Sequence, residues 1–236
     1  DQFTHKYLYD ADNKLTDVYT SRDGVLWDRD ARYLYYLHGP MARLELGEEE
    51  IQGLDYAYTL QGWIKGMNSA ALEEKNDIGQ DGVQGHKNSP FAKDEVGFVL
   101  HYNKQDHEAI GSSQAADFKS NWNQICPSPE LWNGNIRSMI TSIRQFMPDG
   151  IPAAYTYRYD QLNRIIGLDH HKEFNPAANL WSGNAICSDY HTDYAYDAIG
   201  NIRTLNRDGL DGHNNMAPMD RFTYHYIPNT NRLTYV

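Results

Sequence analysis

Residues 155–166 read Tyr-Thr-Tyr-Arg-Tyr-Asp-Gln-Leu-Asn-Arg-Ile-Ile, and this stretch decides the fold class. Tyrosines occupy alternate positions up to Tyr159, which places them on one face of a strand, because successive strand side chains point to opposite faces. Asp160 and Asn163 then supply residue types that favour a tight turn. Ile165 begins a second strand-like run, so the stretch predicts a β-hairpin.

The same pattern recurs in residues 3–16, 193–203 and 222–234, and weaker copies lie at 55–64 and 100–103. The first residues of each turn are predicted to bond to backbone amides, and Asn13, Asn163 and Asn201 are predicted to adopt the left-handed backbone conformation. Tyrosine rings are expected to pack while their hydroxyls contact water or a neighbouring strand. The predicted structural repeat positions are Tyr7, Tyr9, Asp10, Asn13, Tyr157, Tyr159, Asp160, Asn163, Tyr194, Tyr196, Asp197, Gly200, Asn201, Tyr224, Tyr226 and Asn231.

The repeat predicts an all-β protein of consecutive antiparallel hairpins. Composition agrees, since 18 Tyr against 7 Phe, together with 18 Gly, favour short strands and tight turns over a helical bundle. We expect one repeat segment over residues 1–236, with irregular insertions near 69–95 and 206–220. Short helices are predicted within 69–75 and 113–124.

Charge limits the classes of partner. The formal net charge is −11, and no run of Lys or Arg supplies the basic surface that nucleic acid, heparin or an anionic membrane requires. No stretch approaches the roughly 20 apolar residues that span a bilayer. The chain begins without Met and ends in a strand-like run, so we expect a piece of a longer protein.

Cysteine content does not fix the cellular compartment. Cys126 and Cys187 lie in no CxxC or Cys/His metal spacing. Two unpaired thiols are the favoured interpretation, and a disulfide in an exported protein is the main alternative.

One loop of the sequence invites interpretation as a cation-binding site. The loop that begins at Asp77 fails the EF-hand pattern, because Gly79 and Asn88 stand at its third and twelfth positions. A looser cation site through Asp77 and Asp81 is less favoured than a solvated loop.

A zinc site at Asp189, His191 and Asp193 is also disfavoured, because the repeat already explains Asp193. His170 and His171 are expected to point to opposite strand faces. The sequence holds no nucleophile elbow, Walker loop or dinucleotide fingerprint. Packing is the favoured role of the tryptophans, with a sugar-stacking platform as the alternative; they are Trp27, Trp63, Trp122, Trp132 and Trp181.

The hairpin pattern Tyr-x-Tyr-Asp-x-x-Asn/Gly, followed by Ile or Leu, resembles the YD repeat of RHS-repeat proteins. This family includes bacterial Rhs polymorphic toxins, the C components of insecticidal toxin complexes, and teneurins. Residues 36–47, 55–66, 131–136 and 146–165 are similar to the degenerate repeats of long Bacteroidetes-type members. The resemblance extends from Phe3 to Val236.

The resemblance implies a curved spiral sheet that forms part of a hollow shell. We therefore expect a structural wall segment of a secreted or cell-surface bacterial protein that encloses or presents another polypeptide, such as a toxin. No catalytic residue, cofactor or metal is expected. The family's self-cleavage site carries an Asp-Pro-x-Gly signature, and this sequence contains no Asp-Pro dipeptide, so the cleavage is not carried over.

Expected partners are the remainder of a longer RHS chain, or a partner protein, that pairs with open sheet edges, and an enclosed polypeptide. Two alternatives remain open. One is an extracellular module that binds glycan or a partner protein through exposed aromatics, and the other is a polysaccharide hydrolase with an unrecognised carboxylate pair.

Overall fold

The computed structural model describes residues 3–108, 118, 120–146, 152–175, 178–183, 186–213 and 215–236, apart from the side chains of Lys75, Phe146 and Ser188. The described chain is nearly all β, which confirms the predicted fold class. It forms two compact units. The first comprises Asp1–Val99, Gln105–Lys119 and Thr141–Gly150, and the second comprises Leu100–Lys104, Ser120–Ile140 and Ile151–Val236. The single repeat segment stays a prediction.

Six complete strands of the first unit are β1 (Thr4–Tyr9), β2 (Leu15–Ser21), β3 (Asp28–Tyr35), β4 (Met41–Leu46), β5 (Gln52–Tyr58) and β6 (Ile64–Met67). Each pairs with the next in antiparallel register. Two further strands, β7 (Val96–His101) and β8 (Ser138–Ile143), are divided between the units. Strand β6 pairs with the first part of β7.

The strands of the second unit are β9 (Ala153–Tyr159), β10 (Ile165–His171), β11 (Phe174–Asn175), β12 (Leu180–Trp181), β13 (Ile186–Tyr196), β14 (Ile202–Leu210), β15 (Met216–Thr223), β16 (His225–Tyr226) and β17 (Leu233–Tyr235). Strands β9, β10, β13, β14 and β15 are neighbours in that order and pair antiparallel. Two small hairpins, β11–β12 and β16–β17, lie outside this order.

Helices are short. One α-helix, α1, spans Trp122–Ile125, and 3₁₀ helices span Glu74–Asn76 and Arg144–Phe146. The helix predicted within 69–75 is wrong over 69–73, where Leu72 adopts a positive φ of 50° that interrupts a right-handed helix. Part of the segment 113–124, predicted as helical, lies outside the described residues, and α1 begins near its end.

The two predicted insertions differ. Residues 69–95 hold one 3₁₀ turn and an isolated bridge between Gln52 and Ala92. Residues 206–220 are not irregular, because β14 and β15 pair across most of this segment. The prediction missed this hairpin, since its strands carry Asn, Arg and Asp on an exposed surface rather than alternating aromatics.

Large apolar side chains cluster in the second unit. Trp122 is fully buried and Trp181 is 2% exposed, with ring centroids 4.7 Å apart. Phe174 packs on Trp181 at 5.2 Å, and the indole of Trp122 donates to Ser138 Oγ at 3.0 Å. The first unit buries Phe91, Val99 and several alanines, together with a group of charged side chains described below.

Candidate functional site

Four aspartates open hairpin turns with the same hydrogen bonds. In each turn one carboxylate oxygen accepts the backbone N–H groups of the residues two and four positions later. The aspartates are Asp10, Asp160, Asp197 and Asp211, and the eight donor–acceptor distances lie between 2.8 and 3.0 Å. This geometry confirms the predicted role of aspartate, which satisfies amides that the turn leaves without a strand partner.

In the Asp10, Asp160 and Asp197 turns, the third residue after the aspartate takes the left-handed conformation. The φ angles are 60° at Asn13, 61° at Asn163 and 95° at Gly200. The prediction for Asn201 is therefore wrong by one position. Asn201 Nδ2 instead donates to Asp197 Oδ2 at 2.9 Å. Glycine tolerates positive φ best, which explains why Gly200 takes the place of an asparagine.

Turns without an aspartate are closed by the same backbone hydrogen bond, in which the amide of the first turn residue donates to the carbonyl four residues later. The amide of Tyr36 donates to Pro40, and that of Thr59 donates to Trp63, with Gly39 and Gly62 in the left-handed position. The fourth predicted copy has a loop that is one residue longer, since Ile227 N donates to Arg232 O. Asn229 has positive φ in this loop, whereas Asn231 follows it, and the role of Asn231 as a repeat position stays a prediction.

Tyrosines immediately before the turns join consecutive hairpins. Tyr35 precedes the Tyr36 turn, and its hydroxyl donates 2.8 Å to the carbonyl of Leu15, the first residue after the Asp10 turn. Tyr196 donates to Ile165 O at 2.7 Å and Tyr226 donates to Ile202 O at 3.0 Å in the same way. Tyr159 donates 2.8 Å to Ile136 O. We call these four contacts the tyrosine joints.

Burial affects three of the joint tyrosines, and a nearby cation contacts two of their rings. Burial raises the pKa of Tyr35, Tyr159 and Tyr196, so their hydroxyls keep the proton that they donate. The cation four residues after the turn aspartate lies over the next tyrosine ring: Lys14 is 5.2 Å from Tyr35, and Arg164 is 4.6 Å from Tyr196. Cation–π contact of this kind stabilises neighbouring rings.

Adjacent turns also contact one another directly. Arg164 bonds to its own turn aspartate, Asp160, and donates 3.2 Å to the carbonyl of Asp197 in the next hairpin. Asn163 Oδ1 accepts from Asn133 Nδ2 at 2.8 Å and from Asn135 Nδ2 at 3.1 Å. The Asp160 turn of the second unit thus contacts both the Asp197 turn and the segment 133–135.

Other predicted tyrosines contribute differently. Tyr9 occupies the joint position of the first hairpin but is 59% exposed, and its hydroxyl has no partner among the described residues. Tyr7 is also exposed. The Tyr157 hydroxyl lies 3.8 Å from Met139 Sδ, and the Tyr224 ring contacts Phe222 edge-on. Tyr194 is half-buried on β13.

Sequence reasoning missed Asp211, although the signal was present. Residues 211–215 read Asp-Gly-His-Asn-Asn, which matches the spacing Asp-x-x-Asn of the Asp10 and Asp160 turns. The N–H groups of His213 and Asn215 bond to its carboxylate. Strand β14, which precedes this turn, lacks a tyrosine, so the tyrosine-based pattern does not include this copy.

A buried ionic cluster lies where the segment 77–94 packs on β4 and β5. We call it the Arg43 cluster. Arg43 contacts Asp55, donates to both oxygens of Asp81 at 2.8 and 3.1 Å, and lies 3.3 Å from Glu45. The Phe91 ring covers the guanidinium at 4.5 Å.

Two glycines beside the cluster leave the space that its side chains occupy. A Cβ at Gly53 would collide with the Arg43 guanidinium, and one at Gly79 would collide with the Asp55 carboxylate. The expectation that Asp77 and Asp81 belong to a solvated loop is wrong. Both are buried, and Asp77 accepts the N–H groups of Gly79 and Asp81 at 3.1 and 2.8 Å.

Several of these carboxyls hold protons more tightly than exposed aspartates do. Burial raises the pKa of Asp55 to about 7, although Arg43 opposes the shift. Burial and the neighbouring Asp77 raise the pKa of Asp94 to about 9. Burial also raises the pKa of Asp81 against the pull of Arg43. One guanidinium cannot neutralise this many buried carboxylates, so protons complete the balance of charge.

A second buried ion pair lies in the same unit. Lys65 Nζ is 2.9 Å from Asp106 Oδ1, and both side chains are almost completely buried. Strand β6 supplies the lysine, and the segment after β7 supplies the aspartate. The sequence separation of these two residues hid the pair from pattern analysis.

The three residues of the disfavoured zinc site contact other side chains. Lys172 pairs with Asp189, whereas His191 contacts Asp169 and Asp193. Among the described residues no group of three or more His, Cys, Asp or Glu side chains is arranged to hold a metal ion. His170 packs on Tyr155 and Tyr190, and His171 on Trp122, which fits their predicted opposite directions.

The cysteines are both free thiols, as the favoured interpretation predicted, with Cys126 buried and Cys187 half-buried. Two tryptophans of the suggested sugar platform, Trp122 and Trp181, are core residues and cannot contact a sugar. Trp132 is 64% exposed. Across the described part of the chain, no helix has the length and apolar character needed to cross a membrane.

No protein-family model matches the chain. No curated protein matches it either. Among solved structures, a chain in the crystal structure of TcdB2-TccC3-Cdc42 is similar with a TM-score of 0.53 at 14% identity, over 98% of this chain and 9% of that chain. The present chain thus spans about a tenth of the length of that relative, and the likeness shows the fold alone.

Two further structures match more loosely. A chain of the Photorhabdus luminescens Tc holotoxin pore gives a TM-score of 0.28 at 12% identity, over 95% of this chain and 11% of that chain. A chain of TcdB2-TccC3 gives 0.38 at 10% identity, over 95% of this chain and 12% of that chain. Neither TM-score is high enough to carry an argument.

Proposed function

We propose that this chain is a wall segment of a toxin-associated RHS-type shell, and that the shell encloses or presents another polypeptide. The tyrosine joints are the observation that carries the proposal. Each joint fixes one hairpin to the preceding one through a side-chain bond outside the strand ladder, which is what an extended wall of repeats requires. The proposal assigns the chain a structural role, with no catalytic residue and no cofactor.

Fold similarity supports the toxin association. The pattern of hairpins resembles the YD repeat, and the chain shares its fold with part of a chain in the crystal structure of TcdB2-TccC3-Cdc42. Insecticidal toxin C components belong to the family that the sequence resembles. We extend the proposal to a bacterial protein that is secreted or displayed at the cell surface.

Open sheet edges supply the proposed contacts with the rest of the shell. Among the described residues, strand β1 pairs with β2 alone, and all six of its residues are exposed. Strand β15 is the last strand paired in the second unit's main series. Unpaired strand edges recruit further strands, so we propose that neighbouring repeats or a partner protein cover them.

A protease-protection experiment tests enclosure. The complete gene product is incubated with excess protease, and the surviving polypeptides are mapped by mass spectrometry. Enclosure predicts that a segment outside this chain survives, and that the double variant Tyr159→Phe/Tyr196→Phe exposes it to cleavage. The pair Tyr7→Phe/Tyr9→Phe is the matched control, because both tyrosines are exposed. Digestion of all other segments at the rate of free peptides would contradict enclosure.

Exposed apolar side chains at the turns favour a second candidate, a surface that binds a partner protein or glycan. Trp132, Leu162 and Ile199 are each more than 60% exposed and belong to consecutive contacting turns of the second unit. Loss of binding on a glycan or partner-protein array in Trp132→Ala, with Trp27→Ala unchanged, would support this function. Equal binding by both variants, or none by the unaltered protein, would exclude it.

A further inference from the structure

The pairing between β10 and β13 is interrupted near its middle. Leu168 lies opposite Thr192 and His170 lies opposite Cys187, so residues 188–191 of β13 face the single residue Asp169 of β10. Tyr190, within this excess, adopts a positive φ of 63°. Bulges disrupt the ladder of backbone hydrogen bonds, and a non-glycine residue at positive φ adds strain. Other contacts must therefore hold the strands together here.

A ring of four charged side chains spans this interruption. His191 Nδ1 lies 2.7 Å from Asp169 Oδ1, and His191 Nε2 lies 2.7 Å from Asp193 Oδ2. Arg158 of β9 contacts the remaining oxygen of each carboxylate, at 3.3 Å for Asp169 and 2.8 Å for Asp193. The ring thus connects β9, β10 and β13. We call it the His191 ring.

Geometry sets the number of protons in the His191 ring. Each nitrogen–oxygen contact of 2.7 Å requires a hydrogen between the two atoms, since a lone pair on each would repel. Two such contacts around one imidazole need two protons, which is the imidazolium form when both carboxyls are ionised. The ring then holds two positive and two negative charges in alternation.

We propose that His191 is a proton-dependent latch that fastens β13 to β10 across the interrupted ladder when the imidazole is charged, and releases this junction when it becomes neutral. Loss of the second proton leaves a nitrogen lone pair facing a carboxylate. Arg158 alone then balances Asp169 and Asp193. The inference is independent of the proposed shell function.

Neighbouring charges do not replace the lost proton. Lys172, the residue that follows β10, pairs with Asp189, and the His170 ring lies beside the same carboxylate. On β14, Asn206 lies opposite Asp193, and Arg207 pairs with Asp220 at 2.7 Å. Each of these charged groups has another partner, so the imidazolium is the group that closes the ring.

The direction of the pH dependence follows from the contacts. Burial lowers the pKa of His191, but the hydrogen bonds to Asp193 and Asp169 outweigh it, and the pKa is raised above the ordinary value of 6.5. The latch therefore contributes its full stabilisation below pH 6.5 and loses it as pH rises through the raised pKa. Release occurs on the alkaline side.

Hydrogen exchange followed by mass spectrometry tests the latch in the full chain. Peptides covering residues 165–171 and 186–193 are compared at pH 6 and pH 9, after correction for the chemical pH dependence of exchange. Protection should fall severalfold in the unaltered protein, because the imidazolium that closes the ring is lost as pH rises. His191→Gln should show the same low protection at both pH values.

Matched controls separate the latch from general alkaline loosening. His5→Gln, in exposed strand β1, should behave like the unaltered protein. An equal fall of protection in His191→Gln, or no fall in the unaltered protein, would overturn the latch. Should His191→Gln not fold, the imidazole of the unaltered protein is titrated by NMR. Its pKa must exceed the ordinary value of 6.5 and must drop in Asp169→Asn; a pKa at or below 6.5 would also overturn the latch.

Discussion

The hairpin turns and the Arg43 cluster use the same residue type under opposite conditions. Asp160 and Asp211 lie in turns that are open to water, and their carboxylates accept backbone N–H groups a few residues away. These bonds lower the pKa of both. Asp55 and Asp94 are buried among other carboxyls, and burial raises their pKa to about 7 and about 9.

The difference shows how far each structure depends on remote parts of the chain. A turn aspartate finds its donors within four residues, so a turn forms from local sequence. The Arg43 cluster forms only when β4, β5 and the segment 77–94 meet, with Arg43 and Asp81 separated by 38 residues. Turns therefore provide the repeat, and the cluster fixes a particular insertion on it.

Removal of the central cation should have the largest effect. Arg43→Met leaves Asp55, Asp81 and Glu45 buried without their partner, and we expect a loss of about 3 kcal/mol or more in the free energy of unfolding. Urea denaturation measures it. Arg207→Met is the matched control, because Arg207 pairs with Asp220 at the surface and should cost below about 1 kcal/mol. Equal losses would remove the distinction between buried and exposed pairs.

Stability should depend on pH in opposite directions in the two regions. The stabilisation from Asp55 and Asp94 is complete below the ordinary aspartate pKa of 3.8 and is lost as pH rises through about 7 and then about 9. The stabilisation from Asp160 and Asp211 is present above that ordinary pKa and is lost as pH falls through their lowered values.

Denaturation midpoints from pH 3 to pH 10 check this contrast. Asp94→Asn should flatten the alkaline side of the profile, since the amide cannot ionise. Asp211→Asn should alter only the acidic side. An alkaline side that is unchanged in Asp94→Asn would show that the buried carboxyls do not hold the protons assigned to them.

The close contact between Gly53 and the Arg43 guanidinium predicts an intermediate loss of stability when a Cβ is added. Gly53→Ala places a Cβ against the Arg43 guanidinium and should destabilise by about 2 kcal/mol. Gly212→Ala is the control, because a Cβ there meets open space, and it should stay within about 0.5 kcal/mol. Thermal or urea unfolding distinguishes the two, and a neutral Gly53→Ala would contradict the packing described.

The turn position itself predicts a smaller effect. Gly200→Ala forces a side chain into positive φ and should cost about 1 kcal/mol, whereas Gly200→Asn should cost less, as Asn13 and Asn163 hold the same conformation. Asn201→Ala removes one part-buried hydrogen bond to Asp197 and should cost about 0.5 kcal/mol. A larger loss in Asn201→Ala than in Gly200→Ala, by urea denaturation, would restore the original assignment to Asn201.

Local pattern sufficed to predict the hairpins and their turn aspartates. Alternation of tyrosines, followed by Asp and Asn at fixed spacing, is encoded within a dozen residues. The left-handed position was assigned wrongly at Asn201, because glycine takes this position in the Asp197 turn. Asp211 was missed for want of a tyrosine.

Long-range contacts could not be predicted in the same way. The Lys65–Asp106 pair and the Arg43 cluster join residues from separate elements, and sequence spacing does not reveal which carboxylates become buried together. The hydrogen-bond acceptors of the joint tyrosines could not be predicted either, because Tyr196 bonds to a carbonyl 31 residues earlier. Periodicity shows that a tyrosine is present, but only the fold shows its acceptor.

Removal of a single hydroxyl group tests the tyrosine joints most directly. Tyr196→Phe keeps the ring over which Arg164 lies and removes only the hydroxyl bonded to Ile165 O. The change should lower the free energy of unfolding by about 1 kcal/mol. Tyr9→Phe, at the same position of a turn whose tyrosine is exposed, should leave it unchanged. Equal unfolding free energies for both variants, measured by urea denaturation, would contradict a joint between hairpins.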